Sequence, residues 1–210
     1  METKGRKVTR VNWLLAVGFW LFSCVSCQNH QTESILPTDM QLKPGDVVFR
    51  RGEGITSHVV LTADNNGDYS HVGIVVDSCG MLMVVHAVPD EPDYKGDVDR
   101  VKMERPEVFF MSTNASIGAV CRPKDPVLAR KASEVALKLY RQGVMFDHDY
   151  DETDTTRMYC TELVEYAFSR VGHSLADDRR HTVSLPFLHA KCILPSDIYE
   201  SELLMTVKAF

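Results

Sequence analysis

Beyond about residue 40, short apolar runs with the spacing of β-strands are mixed with longer runs that have the spacing of amphipathic helices. The clearest helical pattern starts at Cys160, because apolar residues recur there at intervals of three and four up to Val171. Gly172 follows, and glycine commonly ends a helix in the left-handed conformation. The spacing therefore predicts a core helix with Cys160 in its first turn.

A second helix is predicted over residues 127–141. Asp125 and Pro126 precede it, and these residue types are common at a helix N-cap and at the first helical position. Gly143 is expected to end it. Its apolar residues form one stripe, so we expect this helix to serve packing: Leu128, Ala132, Val135, Ala136 and Leu139.

Two β-rich runs on either side of a tight turn predict a hairpin. The first run covers Tyr69–Asp77, the turn is Ser78-Cys79-Gly80, and the second run covers Met81–Val88. Antiparallel pairing brings the start of the first strand next to the end of the second. We therefore expect the imidazoles of His71 and His86 to be neighbours across the hairpin.

The remaining pattern completes an α+β fold, with an antiparallel sheet packed against the helix that carries the cysteine. Residues 101–111 are ambiguous, because a Glu-Arg-Pro sequence interrupts them. Substrate specificity is expected to depend on loops 51–66, 90–99 and 172–189. The other predicted elements are strands Val47–Arg50, Ser116–Arg122 and Met205–Phe210, a helix Ile198–Leu204 and a polar loop His173–His189.

Residues 1–23 have the pattern of a bacterial export signal. Four basic residues lie between Lys4 and Arg10, and the apolar run Val11–Phe22 is too short to span a bilayer comfortably. Residues 21–24 (Leu-Phe-Ser-Cys) resemble a lipobox, which makes Cys24 the expected site of lipid attachment and Cys27 an alternative register. An ordinary cleaved signal or a short membrane anchor is the competing interpretation.

This organisation predicts three parts: signal peptide 1–23, polar tether 24–40 and one catalytic domain over residues 41–210. The expected location is the cell envelope, with the exported protein anchored by lipid to a membrane and facing the periplasm or the cell surface. The pattern does not indicate which membrane holds the anchor.

Composition narrows the function classes. The chain has 210 residues and a formal net charge of -6, which argues against nucleic acid as a partner. Four of the six cysteines lie outside the N-terminal segment and form no C-x-x-C pair, so a zinc ribbon and a disulfide framework are disfavoured. The acidic segment 147–154 lacks the Gly and Glu of a calcium-binding EF-hand loop. We expect no metal and no cofactor.

The candidate chemistry rests on Cys160 and the two hairpin histidines. A helix N-terminus favours a thiolate, and a thiolate that faces an imidazole is a nucleophile. A second polar group that orients the imidazole completes the logic of a cysteine hydrolase. A buried structural cysteine is the alternative interpretation of Cys160 on its own.

Five segments together resemble the circularly permuted papain-like branch of the NlpC/p60 superfamily, and in particular its YiiX/YaeF-like bacterial proteins. The resemblance extends from Leu42 to the C-terminus, with the histidine motif before the cysteine motif, and it implies a permuted papain-like (NlpC-type) fold. The matching segments are Pro44–Phe49, Ser70–Val75, Val85–Ala87, Phe146-Asp147 and Tyr159–Val164.

The resemblance implies that Cys160 is the nucleophile, His71 its base and His86 the third member of the site. Many YiiX-like members carry Glu at the position of His86, so here a neutral acceptor is expected instead of an anion. Tyr159 and Glu162 are tentative substrate-binding or oxyanion residues, and the backbone N–H of Cys160 is the safer oxyanion donor.

The predicted function is an exported cysteine hydrolase, an amidase or peptidase, that acts on a peptide, a cell-wall peptide or another small amide. One alternative is an acyltransferase or a lipid (thio)esterase, which a cleft lined by apolar residues would favour. Another is a non-enzymatic module, either a binding protein on this scaffold or a zinc site formed by His71, His86 and Cys160.

Overall fold

The computed structural model describes residues 33–65, 67–185 and 188–210. The predicted signal peptide, Cys24, Cys27 and the first part of the tether lie outside these residues. In chain order the elements are β1 (Val47–Arg51), α1 (Ile55–Ala63), β2 (His71–Ser78), β3 (Met81–Val88), β4 (Arg100–Glu104), α2 (Pro106–Phe109), β5 (Ile117–Pro123), α3 (Pro126–Gln142), β6 (Met145–Phe146), β7 (Arg157–Met158), α4 (Cys160–Ser169), β8 (His181–Leu185), β9 (Leu188–Cys192), α5 (Pro195–Tyr199) and β10 (Leu204–Ala209).

The main sheet has eight strands in the order β10-β5-β1-β2-β3-β4-β6-β7. Its neighbours pair antiparallel, except that β6 and β7 are parallel. β8 and β9 form a separate two-stranded sheet. The mixed α+β class predicted from the hydrophobic pattern is therefore confirmed.

Apolar side chains cover both faces of the central strands, which explains their nearly continuous apolar runs. On one face, residues such as Val72 and Ile74 belong to a core shared with α3 and α4. On the other face, Val48, Val75 and Val84 form a second core with Phe109. The sheet is thus the middle layer, and each site residue on it belongs to one of two faces.

Helix α4 begins at Cys160, as its spacing predicted. Leu163, Val164, Ala167 and Phe168 are fully buried and form the predicted apolar face. The helix ends at Ser169, three residues before the left-handed Gly172. Burial of this face fixes the helix on the sheet and so fixes the position of its first residue.

The hairpin predicted around residues 69–88 is also present. Ser78 pairs with Met81, so Cys79 and Gly80 form a two-residue turn. Both turn residues have positive φ angles, 57° and 82°, as the right-handed twist of a hairpin requires. The short turn fixes the register of β2 against β3, and hence the positions of the two histidines.

Other local predictions hold in part. Helix α3 starts after Asp125, whose carboxylate accepts the backbone N–H of Val127 at 2.8 Å, and it ends before the left-handed Gly143. The sequence predicts a helix start at residues 194–197 and a helix over 198–204, and the structure has the helix at Pro195–Tyr199, with Pro195 at the first helical position. It ends earlier than predicted, and Leu204 starts β10.

The predicted polar loop 173–189 is wrong over its second half, which forms the hairpin β8–β9. Val183 and Ala190 face each other in the pairing and are both buried, while their neighbours Thr182 and His189 are exposed. This alternation of apolar and polar residues is that of a half-buried strand, and the many polar side chains concealed it in the sequence.

Residues 33–40, predicted as the end of the tether, pack against the sheet. The backbone N–H of Ile35 donates to Phe110 O at 2.8 Å, and Ser34 forms a bridge with Met111. Ile35, Leu36 and Met40 contact the second core. These apolar side chains join the domain because they cover the face of the sheet opposite α3 and α4.

No helix in the described part of the chain is long and apolar enough to cross a membrane.

Candidate active site

His71 and His86 lie side by side across the β2–β3 hairpin. His71 Nε2 is 2.8 Å from His86 Nδ1, and the ring planes meet at 75°. His71 is 7% exposed and His86 is fully buried. Gly73 makes room for His86, because a Cβ on this residue would stand 3.2 Å from His86 Cβ. The structure therefore brings together the two imidazoles that the sequence predicted to be neighbours.

Glu104 on β4 extends this pair on the far side of His86. Its Oε1 lies 3.3 Å from His86 Nε2, within ion-pair distance but without the alignment of a hydrogen bond. Burial opposes ionisation of Glu104, yet His86, Arg50 and Lys102 together hold the pKa of its carboxyl below the usual value. The third position of the site thus combines a histidine with a carboxylate.

This arrangement favours one tautomer of each ring. An ionised Glu104 favours the proton of His86 on Nε2, which leaves His86 Nδ1 as an acceptor. His71 Nε2 then donates to His86 Nδ1, and the lone pair of His71 Nδ1 stays available as a base. The sequence indicated a neutral acceptor at His86, and Glu104 adds a carboxylate on its far side that sequence reasoning missed.

Cys160 is the first residue of α4 and lines the same cavity as His71. Burial raises the pKa of the Cys160 thiol to about 11. The backbone N–H groups of Val72 and Thr161 and the charge of Arg50 act in the opposite direction, but they do not offset it. The predicted preference of the helix N-terminus for a thiolate is therefore outweighed by burial in the resting protein.

The thiol and the imidazole are both neutral at neutral pH. Burial, followed by the charges of Arg50 and His86, lowers the pKa of the His71 imidazole well below its usual value. Cys160 and His71 line the same cavity, and no hydrogen bond between the thiol and the imidazole is found among the described residues. Transfer of the thiol proton to His71 would therefore accompany attack on a substrate.

Arg50 was missed by sequence reasoning. It pairs directly opposite His71 in the β1–β2 register and is only 2% exposed. Its Nη1 donates to Phe109 O at 2.9 Å, its Nη2 forms an ion pair with Glu91, and its Cζ lies 4.7 Å from the Phe109 ring centre. Strand alternation places Arg50 on the same buried face as Val48, which was the available signal.

Tyr159 and Glu162, the tentative oxyanion or substrate residues, are engaged in the framework. The Tyr159 hydroxyl donates to Glu152 Oε1 at 2.8 Å and accepts the N–H of Ile193 at 3.1 Å. Glu162 Oε2 accepts the N–H of Tyr159 at 3.3 Å, and burial raises the pKa of the Glu162 carboxyl to about 8. These contacts hold the start of α4 in place and occupy the hydroxyl proton of Tyr159.

Thr161 strengthens the same junction. Its hydroxyl donates to Ile193 O at 2.8 Å, and the N–H of Ile193 donates to the Tyr159 hydroxyl. Tyr159 and Thr161 thus bind both backbone polar groups of Ile193, which lies in the segment after β9. Ile193 also lines the cavity beside Cys160. The segment between β9 and α5 is thus a fixed wall next to the candidate nucleophile.

The cavity has a volume of about 410 Å³. Its walls come mainly from apolar side chains, and Arg50, His71 and Cys160 also line it. Helix α1 presents Thr56, Val59, Val60 and Ala63 to it at intervals of three and four, and α1 has no fully buried residue. Apolar lining residues from other elements are Ala87, Val88, Pro89, Phe146, Val183, Leu194 and Pro195.

The described residues contain no group of three or more His, Cys, Asp or Glu side chains arranged to hold a metal ion. The facing nitrogens of His71 and His86 bond to each other at 2.8 Å instead of converging on a shared ion. The donor geometry therefore does not fit the alternative of a zinc site at His71, His86 and Cys160.

Comparison with known proteins supports the fold. No protein-family model matches the chain, and no curated protein matches it. Among solved structures, its fold is similar to that of metalloprotein YiiX from Escherichia coli O157:H7, with a TM-score of 0.65 and 18% sequence identity. The match covers 81% of this chain and 99% of the YiiX chain. The domain therefore has a YiiX-like fold.

Proposed function

We propose that this protein is a cysteine hydrolase with a permuted papain-like (NlpC-type) site, in which Cys160 attacks the carbonyl carbon of an acyl compound. The observation that carries the proposal is the chain of side chains Glu104, His86 and His71, which leads to the cavity that Cys160 lines. A thiol, a neutral imidazole and an orienting group are the three parts that such chemistry needs.

The first step forms a covalent acyl-enzyme. His71 Nδ1 accepts the Sγ proton as a carbon–sulfur bond forms, and the carbonyl π electrons move to oxygen. When the tetrahedral intermediate collapses, the bond to the leaving group breaks and His71 returns the proton to that group. The N–H of Cys160 is the proposed donor to the oxyanion.

Water completes the cycle. His71 removes a proton from water, the resulting hydroxide adds to the thioester carbon, and collapse of this second intermediate breaks the carbon–sulfur bond. The thiolate recovers its proton from His71, and the acyl group leaves as a carboxylic acid. His86 and Glu104 hold His71 in the tautomer that both steps require.

The substrate is proposed to be a small amide or peptide, such as a cell-wall peptide. The apolar cavity supports a second candidate, an acyltransferase or a lipid (thio)esterase, whose acyl-enzyme is the same and whose acceptor is an alcohol, an amine or water. Val59, Val60 and Ile193 are better matched to an acyl chain than to a charged peptide terminus.

The similar Escherichia coli protein YiiX is described as a metalloprotein. The donor geometry of His71, His86 and Cys160 does not fit a metal ion here, so no step of the proposed reaction uses a metal.

The N-terminal pattern supports export and lipid attachment at Cys24, with Cys27 as the alternative. A membrane and an acyl compound are accordingly the proposed partners.

A chain-length series tests the function. Purified protein would be assayed with p-nitrophenyl acetate, p-nitrophenyl octanoate and a peptide p-nitroanilide, beside Cys160→Ala and His71→Ala. Loss of hydrolysis in both variants supports the proposal, and faster octanoate turnover favours the second candidate. Full activity of Cys160→Ala would refute both.

A further inference from the structure

The cavity wall contains a buried arginine whose charge is only partly compensated. Burial of a guanidinium is costly unless its donors are satisfied. Arg50 is 2% exposed, and its Nε is buried without a hydrogen-bond partner among the described residues. Glu91 is its carboxylate partner, and this side chain is one-third exposed. The pair therefore joins a buried cation to an anion that solvent reaches.

The position of Arg50 ties it to the proposed chemistry. Arg50 and His71 are opposite each other on paired strands, and both pack on Phe109, with a ring separation of 5.7 Å for His71. His86 also packs on Phe109, at 5.3 Å. One aromatic ring thus packs against the guanidinium and both imidazoles, and of these Arg50 and His71 line the cavity.

We propose that Arg50 is a positioning residue whose guanidinium stabilises the negative charge that develops at Cys160. Glu91 partly neutralises the positive charge of Arg50 and so weakens the electrostatic potential of the guanidinium in the cavity. The inference rests on the proposed role of Cys160. Arg50 and Cys160 line the same cavity, and the contacts of the guanidinium with Phe109 O and the Phe109 ring fix its orientation. A preorganised charge needs no rearrangement when the thiol proton leaves.

Among the described residues that line the cavity, Arg50 is the only arginine or lysine, and the acidic lining residues are Glu53, Asp90 and Glu91. On β4, Glu104 lies 3.3 Å from His86, and Lys102 pairs with His86 in the strand register. Lys102 is itself bound to Asp93 at 3.1 Å. Glu91 is the acidic group that contacts Arg50 from the loop after β3. Removing Glu91 should therefore make the cavity more positive, and removing Arg50 should make it more negative.

Two alkylating agents of different charge measure this field directly. The rate of Cys160 alkylation by anionic iodoacetate, divided by the rate with neutral iodoacetamide, reports the potential at the sulfur. Peptide mapping separates Cys160 from Cys79, Cys121 and Cys192. We expect Glu91→Gln to raise the ratio about threefold to tenfold and Arg50→Gln to lower it by a similar factor. Arg50→Lys keeps the charge and should stay near the wild-type ratio.

Arg51→Gln is the matched control. Arg51 follows Arg50 on the same strand, but its side chain is 36% exposed, pairs with Asp68 and does not line the cavity. The iodoacetate-to-iodoacetamide ratio of Arg51→Gln should equal that of the wild type. As a second readout, the apparent pKa of Cys160 alkylation should fall in Glu91→Gln and rise in Arg50→Gln.

Equal ratios in Glu91→Gln, Arg51→Gln and wild type would overturn the proposal, even if Arg50→Gln failed to fold. The ratio does not require turnover, so its outcome is separate from that of the proposed function. An inert enzyme with the expected ratios would refute the hydrolase and keep the electrostatic role. An active enzyme with equal ratios would support the hydrolase and refute the electrostatic role of Arg50.

Discussion

Nε2 of His71 and Nδ1 of His86 are joined by a 2.8 Å hydrogen bond in the buried hairpin. This bond gives His71 the fixed orientation that a general base requires. Through this bond the Glu104 carboxylate also favours one tautomer of His71, because the carboxylate lies 3.3 Å from the other nitrogen of His86.

Loss of the carboxylate should weaken catalysis without abolishing it. Glu104→Gln keeps the shape of the side chain but removes the charge that favours the active tautomer of His86. We expect turnover of a p-nitrophenyl ester to fall about tenfold, whereas His71→Ala should lower it by about a hundredfold or more. Glu107→Gln, an exposed change on α2, is the control. Equal turnover in the two glutamine variants would show that Glu104 has no part in the site.

The pH dependence of kcat/KM should lack an inflection near pH 6.5. In the proposed mechanism His71 acts as a neutral base. Its pKa lies well below 6.5 in the folded protein, so protonation would inactivate the site only at a lower pH. The alkaline limit should lie near the thiol pKa of about 11. Measurement of ester hydrolysis between about pH 4 and pH 9 tests the acid limb, because an inflection at 6.5 or above would mean that His71 is normally solvated.

Glu162→Gln should stabilise the folded protein at pH values above the usual glutamate pKa of 4.5. The carboxyl pKa is about 8 in the folded state and 4.5 in the usual case, so folding is increasingly disfavoured as pH rises from 4.5 to 8. A glutamine oxygen can still accept the N–H of Tyr159. Urea unfolding at pH 5 and pH 8 should show a gain for the variant at pH 8 that is smaller at pH 5. Glu134→Gln, on the exposed side of α3, should show no such difference.

Gly73→Ala should damage both stability and activity. The new Cβ would lie 2.7 Å from Val84 Cγ1 and 3.2 Å from His86 Cβ, so the imidazole of His86 has to move. Overpacking of this kind costs about 1–3 kcal/mol, which thermal unfolding would detect. Gly118→Ala crowds the rings of Phe110 and Phe210 and not a histidine. A turnover loss no greater in Gly73→Ala than in Gly118→Ala would separate His86 from the reaction.

Local patterns explain which parts of the structure were predictable. The helix at Cys160 follows from the spacing of four buried apolar residues, and the β2–β3 hairpin follows from the turn at Cys79 and Gly80. Both features depend on residues that are close in sequence. The neighbouring positions of His71 and His86 then follow from the antiparallel register.

Contacts between distant segments explain what was missed. Glu104 reaches His86 through the pairing of β3 with β4, and the connection between them is a charged loop that gives no register. Arg50 reaches His71 from β1, a strand whose partners the sequence did not specify. Burial of the thiol, which raises the pKa of Cys160, likewise depends on walls supplied by several segments.

The most direct test of the central claim is to trap the acyl-enzyme. Purified protein would be mixed with p-nitrophenyl octanoate, quenched in acid and digested with trypsin, which releases Met158–Arg170, a peptide whose only cysteine is Cys160. The mechanism predicts an octanoyl group on this peptide in the wild type, little of it in His71→Ala and none in Cys160→Ala. Ester hydrolysis without an adduct on Cys160, or with the adduct on another cysteine, would contradict the assignment of Cys160 as the nucleophile.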